Sequence, residues 1–291
     1  MDNKMNPPAP KKGKVFRAKG QAKRLGQQQT AAGGQVGIFG HEAQMHDTEI
    51  GRVSARVLKE LERIYPIHKF RLRWSITKHE INEALKKIDK KLGKVLFIKN
   101  ASVKPDGGII EVQDKDGQWR IVLVGESKHQ GNDIEKIQDG VKQGKNKDAD
   151  FMAAGNAIER VHKNIQEFRN LMLGERHFPY VVFLQGSNFI TKPFKIFSKD
   201  GREIEISPDD GSLNRIDRVT ASNFCMEINS NYCRNSFVTI GNVQHMLQAP
   251  SLYFQSASWS GETMFTVMID IAKTSICLLR EQRQFALADK D

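Results

Sequence analysis

The sequence predicts an α/β fold in which a mixed central β-sheet is flanked by helices. Three observations support this prediction. Some segments carry apolar residues at helical spacing, whereas IVLV at 121–124 and YVVFL at 180–184 are continuous apolar runs of strand length. The two kinds of segment alternate along the chain, as they do in folds with helices packed on a sheet. We expect residues 36–291 to form a single α/β domain.

Four segments predict helices. Apolar residues recur every three or four positions from Ile50 and stop at Tyr65 before Pro66, which disfavours a helix at the preceding residue. The same spacing continues from Ile81 to Leu92, and Gly93 suits a C-terminal cap. Further helices are predicted around Ile134 to Val141 and from Ala157 to Leu173.

Strands are predicted where the apolar period changes from that of a helix to that of a strand. Gly108 to Val112 and Trp119 to Val124 predict two strands joined by a short turn. Lys195 to Phe197 and Glu203 to Ile206 predict a peripheral hairpin. The segment from Met264 to Leu279 is compatible with either a helix or a pair of strands.

The positive charge is concentrated at the N-terminus. The chain of 291 residues has a formal net charge of +11, and its first 35 residues hold eight lysines and arginines against one aspartate. These residues lack apolar periodicity, so we expect a flexible basic arm. Clustered positive charge predicts a polyanionic partner such as nucleic acid, with a solubilising tail as the alternative.

Composition also excludes several classes of protein. The three cysteines, Cys225, Cys233 and Cys277, form no CxxC pair, which argues against a thiolate zinc site or a disulfide framework. No apolar run is long enough to span a bilayer. We therefore expect a cytoplasmic protein without a membrane partner.

Asp106, Glu126 and Lys128 are the candidate catalytic residues. Asp106 precedes the first strand of the predicted hairpin and Glu126 ends the second, so antiparallel pairing brings the two carboxylates together. Lys128 follows Glu126 by two residues and projects from the same face. Such a set suits phosphodiester hydrolysis, in which Asp106, Glu126 and the backbone carbonyl of Ser127 bind Mg²⁺. The alternative is a surface ion pair at two strand ends.

Two further segments carry side chains of types that can read DNA bases. The sequence MAAGNAIER at 152–160 places small residues before Asn156, Glu159 and Arg160, and asparagine and arginine pair with adenine and guanine edges. Arg215 and Arg218 share one helical face if their segment is helical. The alternatives are an ordinary helix N-terminus and a solvated charge cluster.

These residues resemble the EcoRI family of type II restriction endonucleases, within the PD-(D/E)XK nuclease superfamily. The resemblance covers roughly residues 36 to 250 and is carried by specific motifs. They are EINEALKKID at 80–89, KPDGGI at 104–109, KHQG at 128–131, MAAGNAIER at 152–160, FPY at 178–180, and LNR with DR at 213–218.

The resemblance implies a fold, a reaction and a set of roles. It implies a PD-(D/E)XK restriction endonuclease-like fold and Mg²⁺-dependent cleavage of double-stranded GAATTC between G and A, leaving 5′ overhangs with 5′-phosphates. It also implies a homodimer and a cognate DNA methyltransferase. Residues implied to face or support the bases are Met152, Ala153, Asn156, Ala157, Glu159, Arg160, Arg215 and Arg218.

Two other functions remain alternatives. Another PD-(D/E)XK nuclease would share Asp106, Glu126 and Lys128 but not the recognition segment at 152–160. A noncatalytic DNA-binding protein would use the basic arm and the arginines alone. The carboxylate pair argues against it, because carboxylates repel phosphate unless a metal lies between them.

Overall fold

Helices and strands alternate along the chain, as the sequence predicts. The computed structural model describes residues 41–131, 134, 156–199, 201, 203–208 and 210–282. For residues 41–48, 156, 157, 188, 211, 212 and 215 it describes the backbone alone. The helices within these ranges are α1 (His41–Ile64), α2 (Lys78–Ile88), α3 (Asn156–Leu171), α4 (Asp210–Thr220) and α5 (Gly261–Glu281).

The strands are β1 (Phe70–Arg73), β2 (Ile76–Thr77), β3 (Ser102–Val103), β4 (Ile109–Gln113), β5 (Trp119–His129), β6 (Tyr180–Gln185), β7 (Phe194–Phe197), β8 (Glu203–Ile206), β9 (Ser236–Ile240), β10 (Val243–Leu247) and β11 (Ser251–Gln255). Apart from the first residue of α1, all of these elements lie in one compact unit of residues 42–291.

Five of these strands form the central mixed sheet, in the order β1-β4-β5-β6-β11. The pairs β1/β4 and β4/β5 are antiparallel, and the pairs β5/β6 and β6/β11 are parallel. Three two-stranded sheets, β2/β3, β7/β8 and β9/β10, lie outside it. The α/β fold class with a mixed central sheet is therefore confirmed.

Apolar side chains cover both faces of the central sheet. On one face Val124, Tyr180 and Val182 share a buried cluster with Ile165 of α3 and Ile81 of α2. On the opposite face, sheet residues such as Leu123 and Phe183 pack with the buried faces of α1 and α5. The strands β5 and β6 are thus apolar on both sides because helices cover both sides.

Most predicted elements match the structure, with longer or shifted ends. The first helix begins earlier than predicted and ends at Ile64, one residue before the predicted Tyr65. The second strand of the predicted hairpin continues to His129 instead of ending at Val124. The segment from Met264 to Leu279 is helical. Ser260 caps this helix by accepting a hydrogen bond from the Thr263 backbone N–H.

The prediction that α2 runs to Leu92 with Gly93 as its cap is wrong. The helix ends at Ile88, and Asp89 is extended with its carboxylate accepting from the Lys91 backbone N–H. Gly93 instead lies against the side of α2, where the Asn82 amide donates to its carbonyl at 3.1 Å. A local turn at Asp89 and the hydrogen bond from Asn82 to Gly93 therefore replace the last predicted turn of the helix.

Two predictions fall outside the described residues. One is the basic arm at 1–35, and the other is the helix from Ile134 to Val141, of which only Ile134 is described. Among the described helices, none combines the length and apolar character needed to cross a membrane.

Candidate active site

Asp106 and Glu126 approach each other because β4 and β5 remain paired up to the residues that carry them. Ile109 is opposite Val124, and the Gly107 N–H donates to the Gly125 carbonyl at 2.9 Å. A Cβ atom on Gly107 would lie 2.9 Å from that carbonyl oxygen and from the Ile50 side chain. Glycine is therefore required for the close approach beside Asp106.

Lys128 contacts both carboxylates. Its Nζ atom forms an ion pair with Asp106 Oδ2 and lies 3.2 Å from Glu126 Oε1. Strand β5 explains this arrangement, since Glu126 and Lys128 are two residues apart and share the face of the sheet that α3 covers. The structure thus brings together the three residues that the sequence singled out.

Glu126 is fully buried and is held by two further side chains. The Asn164 amide of α3 donates to Oε1 at 3.0 Å and lies 3.2 Å from Oε2. The Tyr180 hydroxyl of β6 donates to Oε2. A buried carboxylate requires such partners, because it has lost its hydrogen bonds to water.

Neither Asn164 nor Tyr180 is predicted from the sequence as a site residue. In the sequence, Tyr180 stands within the apolar strand and the FPY motif, and its hydroxyl gives no indication of which group it contacts. Asn164 lies 38 residues from Glu126 along the chain. The available signal was its position on the predicted helix, four residues after Arg160. There Asn164 is a polar residue among the apolar side chains that form the buried face of the helix.

Burial dominates the electrostatics of this cluster. It raises the pKa of Glu126, and the Asp106 charge adds to that increase, whereas Lys128, Tyr180 and Asn164 oppose it. The pKa of Tyr180 is raised well above its ordinary value, first by burial and then by the neighbouring Glu126. The phenol therefore remains a hydrogen-bond donor to the carboxylate.

The chemistry of the donor set fits a hard divalent cation. Both carboxylates reach the same lysine Nζ atom, so their oxygens converge on one positively charged position. Mg²⁺ prefers oxygen ligands and is commonly bound by one or two carboxylates while it retains waters. Among the described residues, no group of three His, Cys, Asp or Glu side chains is arranged to hold a metal.

Ser127, between Glu126 and Lys128, is buried with its side chain on the opposite face of β5. Its hydroxyl has no hydrogen-bond partner among the described residues. Any part that Ser127 plays in metal binding would therefore come from its backbone carbonyl.

Comparison with known proteins shows which family the chain belongs to. The family model for the restriction endonuclease EcoRI matches residues 32–285 of the chain. The chain belongs to the EcoRI restriction endonuclease family. The matched span includes every residue that the sequence analysis proposed for catalysis or base reading.

Two type II restriction enzymes are similar to the chain along nearly their whole length. The chain is 56% identical over 266 residues to the type II restriction enzyme RsrI of Cereibacter sphaeroides, covering 91% of this chain and 96% of RsrI. It is 53% identical over 263 residues to the type II restriction enzyme EcoRI of Escherichia coli, covering 90% and 95% respectively.

Of the base-reading residues inferred from the EcoRI family, the structure describes three side chains. Glu159 and Arg160 are exposed near the start of α3, and Arg218 is exposed on α4. Asn156 and Ala157 begin α3, and Arg215 lies on α4, but their side chains are not described. Met152 and Ala153 fall outside the described residues.

The helices α3 and α4 pack against each other on the same face of the sheet as Glu126. Ile165 of α3 and Ile216 of α4 join the buried cluster that includes Val124 and Tyr180. The exposed residues of both helices therefore lie on elements that pack against the strands carrying Glu126 and Lys128.

Proposed function

We propose that the chain hydrolyses both strands of double-stranded DNA at GAATTC, between G and A, with Mg²⁺ as its cofactor. The products would carry 5′ overhangs and 5′-phosphates. The observation that supports this most directly is the contact of Lys128 with both Asp106 and Glu126 in a chain of this family. Two carboxylates and an ammonium group are the side chains that this hydrolysis needs.

Asp106 and Glu126 would hold the divalent cation, together with the backbone carbonyl of Ser127. When bound, Mg²⁺ supplies an acidified water and offsets negative charge on the phosphate. Lys128 Nζ can orient the attacking water and donate hydrogen bonds to a nonbridging phosphate oxygen as charge grows on it. This role requires Lys128 to exchange its contact with Asp106 for one with substrate or water.

Base reading would fall to the MAAGNAIER segment and to α4. Arginine presents paired donors that match the acceptors of guanine, and asparagine matches the donor and acceptor of adenine. We assign these roles to Arg160 and Asn156, with Met152, Ala153, Ala157 and Glu159 completing the surface. Arg215 and Arg218 would support recognition from α4.

A palindromic site favours a symmetric homodimer, because a twofold protein offers one active site to each strand and the same reading surface to each half-site. The helices that follow Ala157 in the chain are our candidates for part of the dimer surface. A restriction enzyme of this kind would act in the bacterial cytoplasm beside a methyltransferase that protects the host DNA.

Short duplexes test the proposed specificity. The purified protein with Mg²⁺ should cut a duplex with one GAATTC site on both strands, and sequencing of the ends should place each cut after G. Duplexes with one base pair of the site changed should remain intact. Cleavage at another hexanucleotide would contradict the specificity while preserving the chemistry.

The same assay separates the two alternatives. A repair or junction nuclease of the superfamily would cut branched or damaged duplexes without requiring GAATTC. A noncatalytic DNA-binding protein would retard the duplexes in a gel and leave them uncut at every Mg²⁺ concentration.

A further inference from the structure

The two oxygens of the Glu126 carboxylate have different surroundings. Oε2 accepts the hydroxyl hydrogen of Tyr180, whereas Oε1 lies 3.2 Å from Lys128 Nζ. The Asn164 amide lies within 3.2 Å of both oxygens. Tyr180 therefore anchors one oxygen inside the protein and leaves the other on the side of Lys128 and Asp106.

The anchor itself is held firmly by its neighbours. Tyr180 is completely buried, with its ring centroid 5.3 Å from that of Phe168 and 5.7 Å from that of Phe178. Phe168 follows Asn164 by one turn of α3, so the two side chains lie on the same helical face. Helix α3 thus supplies both Asn164, which donates to Glu126, and Phe168, which packs against the ring of Tyr180.

Without these donors, Glu126 would be drawn only toward Lys128. Asp106 already forms an ion pair with the same ammonium group, so both carboxylates would compete for one cation. A carboxylate that rotates freely also presents its oxygens poorly to a metal. Groups that hydrogen-bond to a metal ligand fix its orientation and raise metal affinity.

We propose that Asn164 and Tyr180 are positioning residues that fix the Glu126 carboxylate for divalent-cation binding. Tyr180 holds Oε2, Asn164 spans the two oxygens, and Oε1 is thereby kept toward Asp106 and Lys128. This inference rests on the proposed function, in which Glu126 is a metal ligand. Neither side chain contacts the phosphate or the water in this proposal.

The variants Tyr180→Phe and Asn164→Leu test the proposal. Tyr180→Phe removes one oxygen atom and keeps the stacked ring, so the core is preserved. Tyr253→Phe is the matched control, because Tyr253 lies on β11, two strands away from Glu126. Asn170→Leu controls for Asn164, since Asn170 lies on the same helix and accepts a hydrogen bond from Gln166.

Three measurements separate positioning from a general structural role. Thermal melting and duplex affinity in metal-free buffer report folding and DNA binding. Calorimetric titration of Mn²⁺ into the complex with an uncleavable GAATTC duplex reports metal affinity without turnover. Single-turnover cleavage across Mg²⁺ concentrations gives the half-saturating concentration.

For each test variant we expect Mn²⁺ affinity to fall and half-saturating Mg²⁺ to rise by about 10- to 100-fold, the range found for outer partners of metal ligands. Metal-free duplex affinity should match the parent, and both controls should match the parent throughout. Unchanged metal affinity in Tyr180→Phe and Asn164→Leu would overturn the proposal, as would an equal shift in the controls. If the parent does not cleave GAATTC, the proposed function fails, but titration of Mn²⁺ into the protein without DNA still decides the positioning role.

Discussion

At the scale of single residues, Glu126 shows how burial and charge are reconciled at this site. Its side chain is wholly buried, yet the Lys128 ammonium and the Asn164 and Tyr180 donors surround its carboxylate. Removing one partner of a buried charge usually destabilises a protein more than replacing the whole interacting set with apolar residues. The reason is that the remaining charge is left buried without a partner or water. The contribution of each of these contacts to stability should therefore depend on whether the others are present.

Ser127 offers a stability prediction at the neighbouring position. Because its buried hydroxyl lacks a partner among the described residues, Ser127→Ala should raise the free energy of unfolding by about 1 kcal/mol. Urea denaturation measures the change. Ser222→Ala is the contrast, since the buried Ser222 hydroxyl donates to the Val219 carbonyl at 2.6 Å and its loss should destabilise the protein. A decrease for Ser127→Ala would indicate an unrecognised hydrogen bond.

His177 predicts how stability depends on pH. It is buried with Nε2 3.0 Å from the Ile121 carbonyl oxygen, and burial lowers its pKa below the ordinary 6.5. Below pH 6.5 the unfolded chain takes up a proton on this histidine that the folded chain does not, so stability decreases as the pH is lowered, by at most about 1.4 kcal/mol per pH unit for this one group.

Urea denaturation from pH 7.5 to 5.5, at fixed protein concentration, tests this prediction. The slope should be shallower in His177→Gln than in the parent, and it should be unchanged in His245→Gln, where the histidine is exposed. Equal slopes in all three proteins would show that His177 titrates normally in the folded state.

The sequence predicts which carboxylates meet, because strand pairing alone brings Asp106 and Glu126 together. It does not predict Asn164, because the contact depends on how α3 packs across β5 and β6. Apolar spacing identifies the buried face of that helix, but an asparagine on such a face gives no indication of which charged group it meets. The candidate catalytic carboxylates could therefore be predicted from the sequence, whereas the residue that hydrogen-bonds to Glu126 from α3 could not.

At the scale of elements, the hairpin between β4 and β5 depends on Gly107. An alanine there would place its Cβ atom 2.9 Å from the Gly125 carbonyl oxygen and the Ile50 side chain. We expect Gly107→Ala to lower the free energy of unfolding by about 1–3 kcal/mol, the usual effect of overpacking, and to slow cleavage by displacing Asp106.

Denaturation and single-turnover cleavage measure the two effects. Gly51→Ala is the matched control, because a Cβ atom there would be 3.4 Å from the Trp74 ring, and alanine inside α1 should stabilise the helix by about 0.5–1 kcal/mol. A Gly107→Ala protein with parental stability and rate would contradict the packing argument.

Element length determined how well each element could be predicted. The long amphipathic helices α1 and α3 have many periodic positions, so their existence and approximate ends followed from sequence. The central-sheet strands β1 and β11, of four and five residues, were not predicted. Strands β4, β7 and β8 are equally short but were predicted, because a short turn joins each of them to its partner strand. Strand β11 also pairs with β6, which lies about seventy residues earlier in the chain, so no local sequence pattern predicts the pairing.

At the scale of the whole molecule, the sheet order brings the candidate site, α3 and α4 to one side of the sheet. The parallel pair β5/β6 places Glu126 opposite Val182 and beneath α3, while α1 and α5 cover the other face. The layered α/β arrangement follows from sequence alone because both central strands are apolar on both faces. The face occupied by each helix required the structure.

The basic arm predicts a salt effect for the whole protein. Deletion of residues 1–35 removes eight lysines and arginines and one aspartate, so fewer counterions would be released on binding DNA. We expect a shallower dependence of log affinity on log salt, with the cut position unchanged. Affinity measured by fluorescence anisotropy at several salt concentrations tests this, and an unchanged slope would assign the arm no contact with DNA.

The central claim is that Asp106, Glu126 and Lys128 form an active site that cuts GAATTC. Its most direct test incubates the purified protein and Mg²⁺ with a plasmid carrying one GAATTC, beside a Glu126→Ala variant and a plasmid without the site. The account predicts linear product only from the parent protein acting on the site-bearing plasmid. Equal linearisation by Glu126→Ala, or binding without any cleavage by the parent, would contradict it.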